Sequence, residues 1–175
     1  MKRVCIDIGH TPAKPGAVSE LANEYRQNIK LANDLAFCLH RLQIIPVVVY
    51  RETYAGLPAL INQTNADICI SVHANAATPD ATGTETLYCA GSVRSKKLAD
   101  IMQSYMIAAL DLRDRGIKPL HLGDRGGSLV AKTIMPHVII EPYFLSNADD
   151  LRIANARMDL LAINLSEACD EYFNE

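Results

Sequence analysis

The sequence has no excess of positive charge: 17 lysines and arginines stand against 20 aspartates and glutamates, a formal net charge of −3. A nucleic-acid binder normally carries a basic stripe, so that class is set aside. Nor will overall charge draw the chain onto an anionic wall or membrane. No apolar run approaches the ~18–20 residues that cross a bilayer. The N-terminal apolar stretch is too short for a secretory signal and Asp7 interrupts it. The expectation is therefore a chain that is cytoplasmic at synthesis, with no signal peptide. Neither GxGxxG nor GxxxxGK occurs, which removes the usual marks of nucleotide binding. The five cysteines are odd in number and show no CxxC spacing. They read as free thiols, and those inside strand-like runs, Cys5 and Cys69, behave as small hydrophobes. No repeat, low-complexity tract or Gly/Ser-rich linker divides the 175 residues, a length that suits one domain with one core.

What is present is an alternation of strand-length apolar runs with helical periodicity. Strands are expected at Val4–Ile8, Ile44–Tyr50, Asp67–Val72, Thr84–Tyr88 and His137–Ile140. Helices are expected at Glu24–Leu42, Leu57–Gln63, Ser95–Leu110 and Ala156–Tyr172. In the first, Leu31, Leu35, Leu39 and Leu42 recur at helical spacing. The stretch Asp114–Ser128, rich in Gly, Asp and Arg, reads as a loop. Ile68–Val72 and Val138–Ile140 are apolar on both faces, as in parallel strands covered by helices on two sides. The fold class that follows is α/β: a single three-layer domain over residues 1–175, with a mostly parallel sheet and helices on both faces.

Three of these strands lead into a possible ligand or catalyst: His10 after the first, His73 after the third, and Glu141 at the end of the last. Ligands of open α/β sheets bind beyond the carboxyl ends of strands. Two imidazoles and one carboxylate are a standard set for catalytic zinc, with a further carboxylate standing off the metal to take a proton. Residue type alone leaves Asp7, Glu20, Glu24, Glu85 and Glu141 open as the carboxylates. Asp7, inside a buried strand, either orients a ligand histidine or ties down the following loop. His40 reads as solvated, and His121 and His137 could face the site.

Several motifs then occur in order: Asp7-Ile-Gly-His10, Pro15-Gly-Ala17, Glu24 with Asn28, Ser71-Val-His-Ala-Asn75, Gly83-Thr-Glu-Thr-Leu-Tyr88, Arg115-Gly-Ile-Lys118 and Pro136-His-Val-Ile-Ile-Glu141-Pro-Tyr-Phe-Leu-Ser-Asn147. Together they resemble the zinc-dependent N-acetylmuramoyl-L-alanine amidases (amidase type 3) of bacterial cell separation and phage endolysins. The resemblance runs from about Lys2 to the final helix. It implies an open six-stranded sheet, Zn2+ as cofactor, His10, Glu24 and His73 as its ligands, and Glu141 as general base. It implies hydrolysis of the amide between N-acetylmuramic acid and L-alanine, with peptidoglycan as the partner of a monomer. The sequence departs from the family at Thr11-Pro12, where the opening is usually DPGHGG, and at Pro142-Tyr143, where a Gly is usual. Both borders bear on substrate preference. A compact layout suggests a phage or prophage endolysin. Two other readings compete: another zinc peptidase or deacetylase, and an inactive amidase-like domain that only binds cell wall.

Overall fold

The computed structural model describes residues 1–20 and 22–175. Strands are β1 (Arg3–Ile8), β2 (Ile45–Tyr50), β3 (Ile68–Val72), β4 (Thr84–Cys89), β5 (Asp114–Leu120) and β6 (His137–Glu141). Helices are α1 (Glu24–Arg41), α2 (Leu57–Gln63), α3 (Val93–Leu110), α4 (Gly127–Lys132), α5 (Ala148–Ala156) and α6 (Met158–Asn174). The strands form one sheet in the order β2-β1-β3-β6-β4-β5. β1 pairs in parallel with β2 and β3, and β3 with β6. β4 runs antiparallel to β6 and parallel to β5. The sheet is thus six-stranded and mostly parallel in one α/β domain, as the sequence indicates.

Alternation along the strands sorts the core. Val4, Ile6 and Ile8 of β1 join Ile68, Ile70, Val72, Val138 and Ile140 against Leu31, Leu35 and Leu39 of α1, Leu98 and Met102 of α3, and Leu161 and Leu165 of α6. Cys5 and Cys69 face the other way, into a smaller cluster with Leu57 and Ile61 of α2 and Leu129 of α4. Each fully buried Leu or Ile contributes about 1.5–3 kcal/mol relative to exposure. The central strands are dry on both faces because helices cover both. All five cysteines are free.

α1 begins where Asn23 Oδ1 accepts from Arg26 N at 3.2 Å, a side-chain cap for an otherwise unpaired backbone donor. Leu42 lies just past its end, 40% exposed, and so does not continue the buried leucine row. The stretch 114–128 is not simply a loop: it holds β5 and the start of α4. The final helical region begins eight residues early, at Ala148, under an Asn147 cap that accepts from Asp149 N and Asp150 N. It breaks at Arg157 into α5 and α6. No helix among the described residues is long and apolar enough to cross a membrane.

Candidate metal centre

β1 and β3 are neighbours in register, with Ile8 opposite Val72. The backbone that follows each therefore emerges at one edge, and Gly9 N still donates to Val72 O at 3.0 Å. β6 joins on the other side of β3, with Val72 opposite Ile140 and His73 N donating to Ile140 O at 3.1 Å. His10, His73 and Glu141 consequently leave the sheet side by side. His10 holds a φ of 73°, a left-handed conformation that a non-glycine residue keeps only under the constraint of its surroundings. Gly9 allows the approach: a Cβ there would stand 2.5 Å from the His73 ring.

Glu24 comes from the first turn of α1, where the positive end of the helix dipole favours a carboxylate. Asn28, one turn on, donates to Gly9 O at 3.2 Å and ties α1 to the end of β1. Glu24 Oε2 accepts from Ala17 N at 2.9 Å. Its Oε1 faces both imidazoles, 3.0 Å from His73 Nδ1 and 3.0 Å from His10 Nε2. The rings sit edge to face with centroids 5.0 Å apart. One ligand atom from each of the three residues lies within 4.8 Å of the others. Burial alone would raise Glu24, but the contacts from His10, His73 and Ala17 outweigh it and hold the carboxyl well below the usual range.

His10 Nε2 decides what this cluster is suited to hold. It is buried and, despite its closeness to Glu24, lies off the line a hydrogen bond needs, leaving it without such a partner among the described residues. A tetrahedral zinc has bonds of about 2.0–2.2 Å, which sets its donor atoms a little over 3 Å apart. Two imidazoles and an ionised carboxylate at these spacings fit such an ion.

Glu141 Oε2 is likewise buried with no hydrogen-bond partner among the described residues. Burial pushes its carboxyl well above the ordinary range; the charges of Glu24 and Glu85 push further, and Arg125 opposes them.

The remaining candidates go elsewhere. Glu20 is exposed and Glu85 is held by Arg115 Nε and Lys118 Nζ. Asp7 does not orient a cluster histidine: its Oδ2 accepts from Ser71 Oγ at 2.6 Å, and Ser71 Oγ lies 2.9 Å from His137 Nε2. His137 is fully buried in this chain and outside the cluster, and His121 is exposed. Asn75 does brace its loop, through Ala76 N at 3.0 Å, and also donates to Glu85 Oε1 at 2.7 Å. A depression of about 380 Å3, lined in part by Lys2, Arg94 and Phe173, lies at the opposite edge of the sheet. Gly16, part of the Pro15-Gly-Ala17 motif, carries a role the sequence does not state: a Cβ there would stand 2.2 Å from Glu24 Oε2. A Gly between Pro15 and Ala17 is the only sequence signal for it.

The family described as N-acetylmuramoyl-L-alanine amidase matches over residues 4–169. The chain belongs to this amidase family. Relatives within it include the N-acetylmuramoyl-L-alanine amidase LytC of Bacillus subtilis (strain 168), 30% identical over 154 residues, which cover 84% of this chain and 30% of LytC. The chain thus spans under a third of LytC. Among solved amidases, an N-acetylmuramoyl-L-alanine amidase from Clostridium difficile 630 superposes with a TM-score of 0.91 at 28% identity, covering 99% of this chain and 97% of that one. The catalytic domain of CwlV, an N-acetylmuramoyl-L-alanine amidase from Bacillus (Paenibacillus) polymyxa var. colistinus, gives 0.86 at 28% identity, covering 99% of each.

Proposed function

We propose that this domain hydrolyses the amide bond between N-acetylmuramic acid and the L-alanine of the peptidoglycan stem, with Zn2+ as its cofactor. The observation that carries the reading is the convergence of His10, Glu24 and His73, ligand atoms within 4.8 Å, beside the unpartnered carboxyl of Glu141. Family membership supplies the bond to be cut.

In this reading His10, Glu24 and His73 hold the metal. Zinc so bound supplies Lewis acidity, which acidifies water and polarises an amide carbonyl. Glu141 Oε2 takes the proton from the attacking water and returns it to the departing alanine amine. Ala17 N fixes Glu24 Oε2, so Oε1 alone faces the two histidines. Asn28 holds the end of β1 in place through Gly9 O.

Incubation with purified peptidoglycan tests the reading. Release of new L-alanine amino groups without new reducing sugar ends is the expected outcome. New reducing ends would mark a glycosidase instead. No release of either kind, from protein loaded with zinc, would leave only a wall-binding role.

A further inference from the structure

Arg115 and Lys118 have no part in the chemistry above, yet the fold takes trouble to aim them. In a regular strand, residues three apart face opposite sides. β5 departs from this: Thr84 pairs with Asp114 and Thr86 with Ile117, so two steps along β4 match three along β5. The extra residue makes a bulge around Gly116, whose φ of 77° is left-handed. Asp114 Oδ1 stabilises it, accepting from Gly116 N at 2.7 Å and from Gln103 Nε2 at 2.8 Å. The bulge resets the alternation and turns Arg115 and Lys118 to one side. There Arg115 Nε and Lys118 Nζ both donate to Glu85 Oε2, at 2.6 and 2.5 Å. Glu85 is the register partner of Glu141, and directly opposed residues hold their Cβ atoms about 5 Å apart. Both cations therefore gather on the carboxylate that pairs with the proposed general base across β4 and β6.

One carboxylate does not use up two cations. Glu85 Oε1 is already engaged by Asn75, and the remaining guanidinium contact is Arg115 Nη1 to Thr82 O at 3.5 Å. A guanidinium has five donors and an ammonium three, so both head groups retain donor capacity. The Phe144 ring lies against the guanidinium, 4.8 Å from Cζ to the ring centroid. The side chain of Glu85 is 9% exposed, those of Arg115 and Lys118 29% and 43%: the acid lies beneath and the donors face out. Arg125, exposed in the turn before α4, adds positive potential at Glu141.

We propose that Arg115 and Lys118 form a subsite for a carboxylate of the peptide stem, and that the enzyme prefers stems whose second residue keeps its free carboxylate. The proposal rests on the amidase reading. In that substrate the carboxyl of muramic acid is locked in the scissile amide, so the free carboxylates in reach belong to the peptide. A planar guanidinium beside an ammonium suits such a group.

The test uses two synthetic muramyl dipeptides that differ at one position: the α-carboxyl of the second residue is free in one and amidated in the other. The zinc-loaded protein is expected to show a kcat/KM about tenfold higher for the acid, from charge-assisted hydrogen bonding, a ratio that shrinks as salt is added. Arg115→Gln and Lys118→Gln should each move the ratio toward one, mainly through KM. Because it is a ratio within one preparation, a reduced folded fraction does not alter it. Equal cleavage of both dipeptides by the unmodified protein overturns the subsite and leaves the amidase reading standing. Variants that keep the original ratio overturn it too. Cleavage of neither dipeptide overturns the amidase reading, and the subsite with it.

Discussion

Gly16 and Glu24 are in contact so close that neither tolerates bulk in the other's place: a Cβ on Gly16 would meet Glu24 Oε2 at 2.2 Å and His10 Cδ2 at 2.6 Å. Gly16 also holds a φ of 78°, which side chains rarely adopt. Gly16→Ala should displace the carboxylate and weaken zinc binding by about 10–100-fold, the usual scale for disturbing the support of a metal ligand. Competition against a chromophoric chelator measures this. A variant that binds zinc as tightly as the parent would mean that Glu24 is no ligand.

Glu141 stands apart from the three-residue cluster, so its loss should separate chemistry from metal affinity. Glu141→Gln is expected to reduce turnover by about 10²–10⁴-fold, the range attributed to acid–base groups, while zinc stoichiometry stays at one per chain. Activity near that of the parent would remove Glu141 as the base.

The cluster joins the end of β1, the start of α1 and the end of β3. An ion that binds only the folded form stabilises it by about 4 kcal/mol at a thousandfold excess over its Kd. Chelation should lower the melting temperature and added zinc should restore it. His73→Ala should melt at the same temperature with or without chelator; a full zinc response in that variant would place the metal elsewhere.

His137 supplies a pH dependence that metal-free protein can show. Burial, and secondarily the nearby His73, lowers its pKa to about 3. Ser71 Oγ, which donates to Asp7 Oδ2, lies 2.9 Å from Nε2 and can accept from it, while Thr133 Oγ1, which also reaches Val130 O at 3.3 Å, lies 3.0 Å from Nδ1. Below the ordinary histidine pKa of 6.5 the unfolded chain binds a proton that the folded one refuses. Stability from this group is thus complete above about pH 6.5 and falls by about 1.4 kcal/mol per pH unit below it, until the folded pKa is reached. Urea unfolding of metal-free protein at pH 7 and pH 5 should show His137→Asn losing less stability on acidification than the parent. Equal losses would mean that the ring is not held neutral.

Leu35 is fully buried between α1 and the sheet. Leu35→Ala should destabilise the fold by about 2–5 kcal/mol, read as a lower urea midpoint at unchanged m-value. A loss under 1 kcal/mol would argue against tight packing there.

The elements legible in the sequence are those whose pattern is set by burial alone. β1, β3 and β6 are apolar runs because helices cover both faces, and the leucines of α1 repeat because one stripe meets the sheet. β5 escaped because it lies at the edge and its side chains need not be apolar. Gly116 further breaks the two-residue alternation and Pro119 removes a backbone donor. The cap at Asn147 with Asp149 and Asp150 was a readable sign of α5. For the candidate site, the positions of His10 and His73 after buried strands could be read directly. The choice of Glu24 over Glu20 came only from the Asn28 spacing and the family resemblance, since the space that admits it depends on Gly9 and Gly16 across loops. Asp7 and His137 read as candidates from their places on buried strands; Ser71 takes Asp7 Oδ2 and lies against His137, whose other ring nitrogen meets Thr133, while Asp7 Oδ1 has no hydrogen-bond partner among the described residues.

The reversal of β4 against β6 shortens the path back to the rim. A parallel strand would have forced the chain to cross to the far side of the molecule after His73 and begin again there. Instead the polypeptide turns back at once, and Glu85 enters the sheet at the rim that His73 has just left. Residues 76–80 between them are exposed throughout, yet Ala77 N donates to Ser146 Oγ at 3.0 Å and Pro79 O accepts from Asn147 Nδ2 at 2.8 Å, so the same turn that reverses the chain also clamps the segment after Glu141 to the cap of α5.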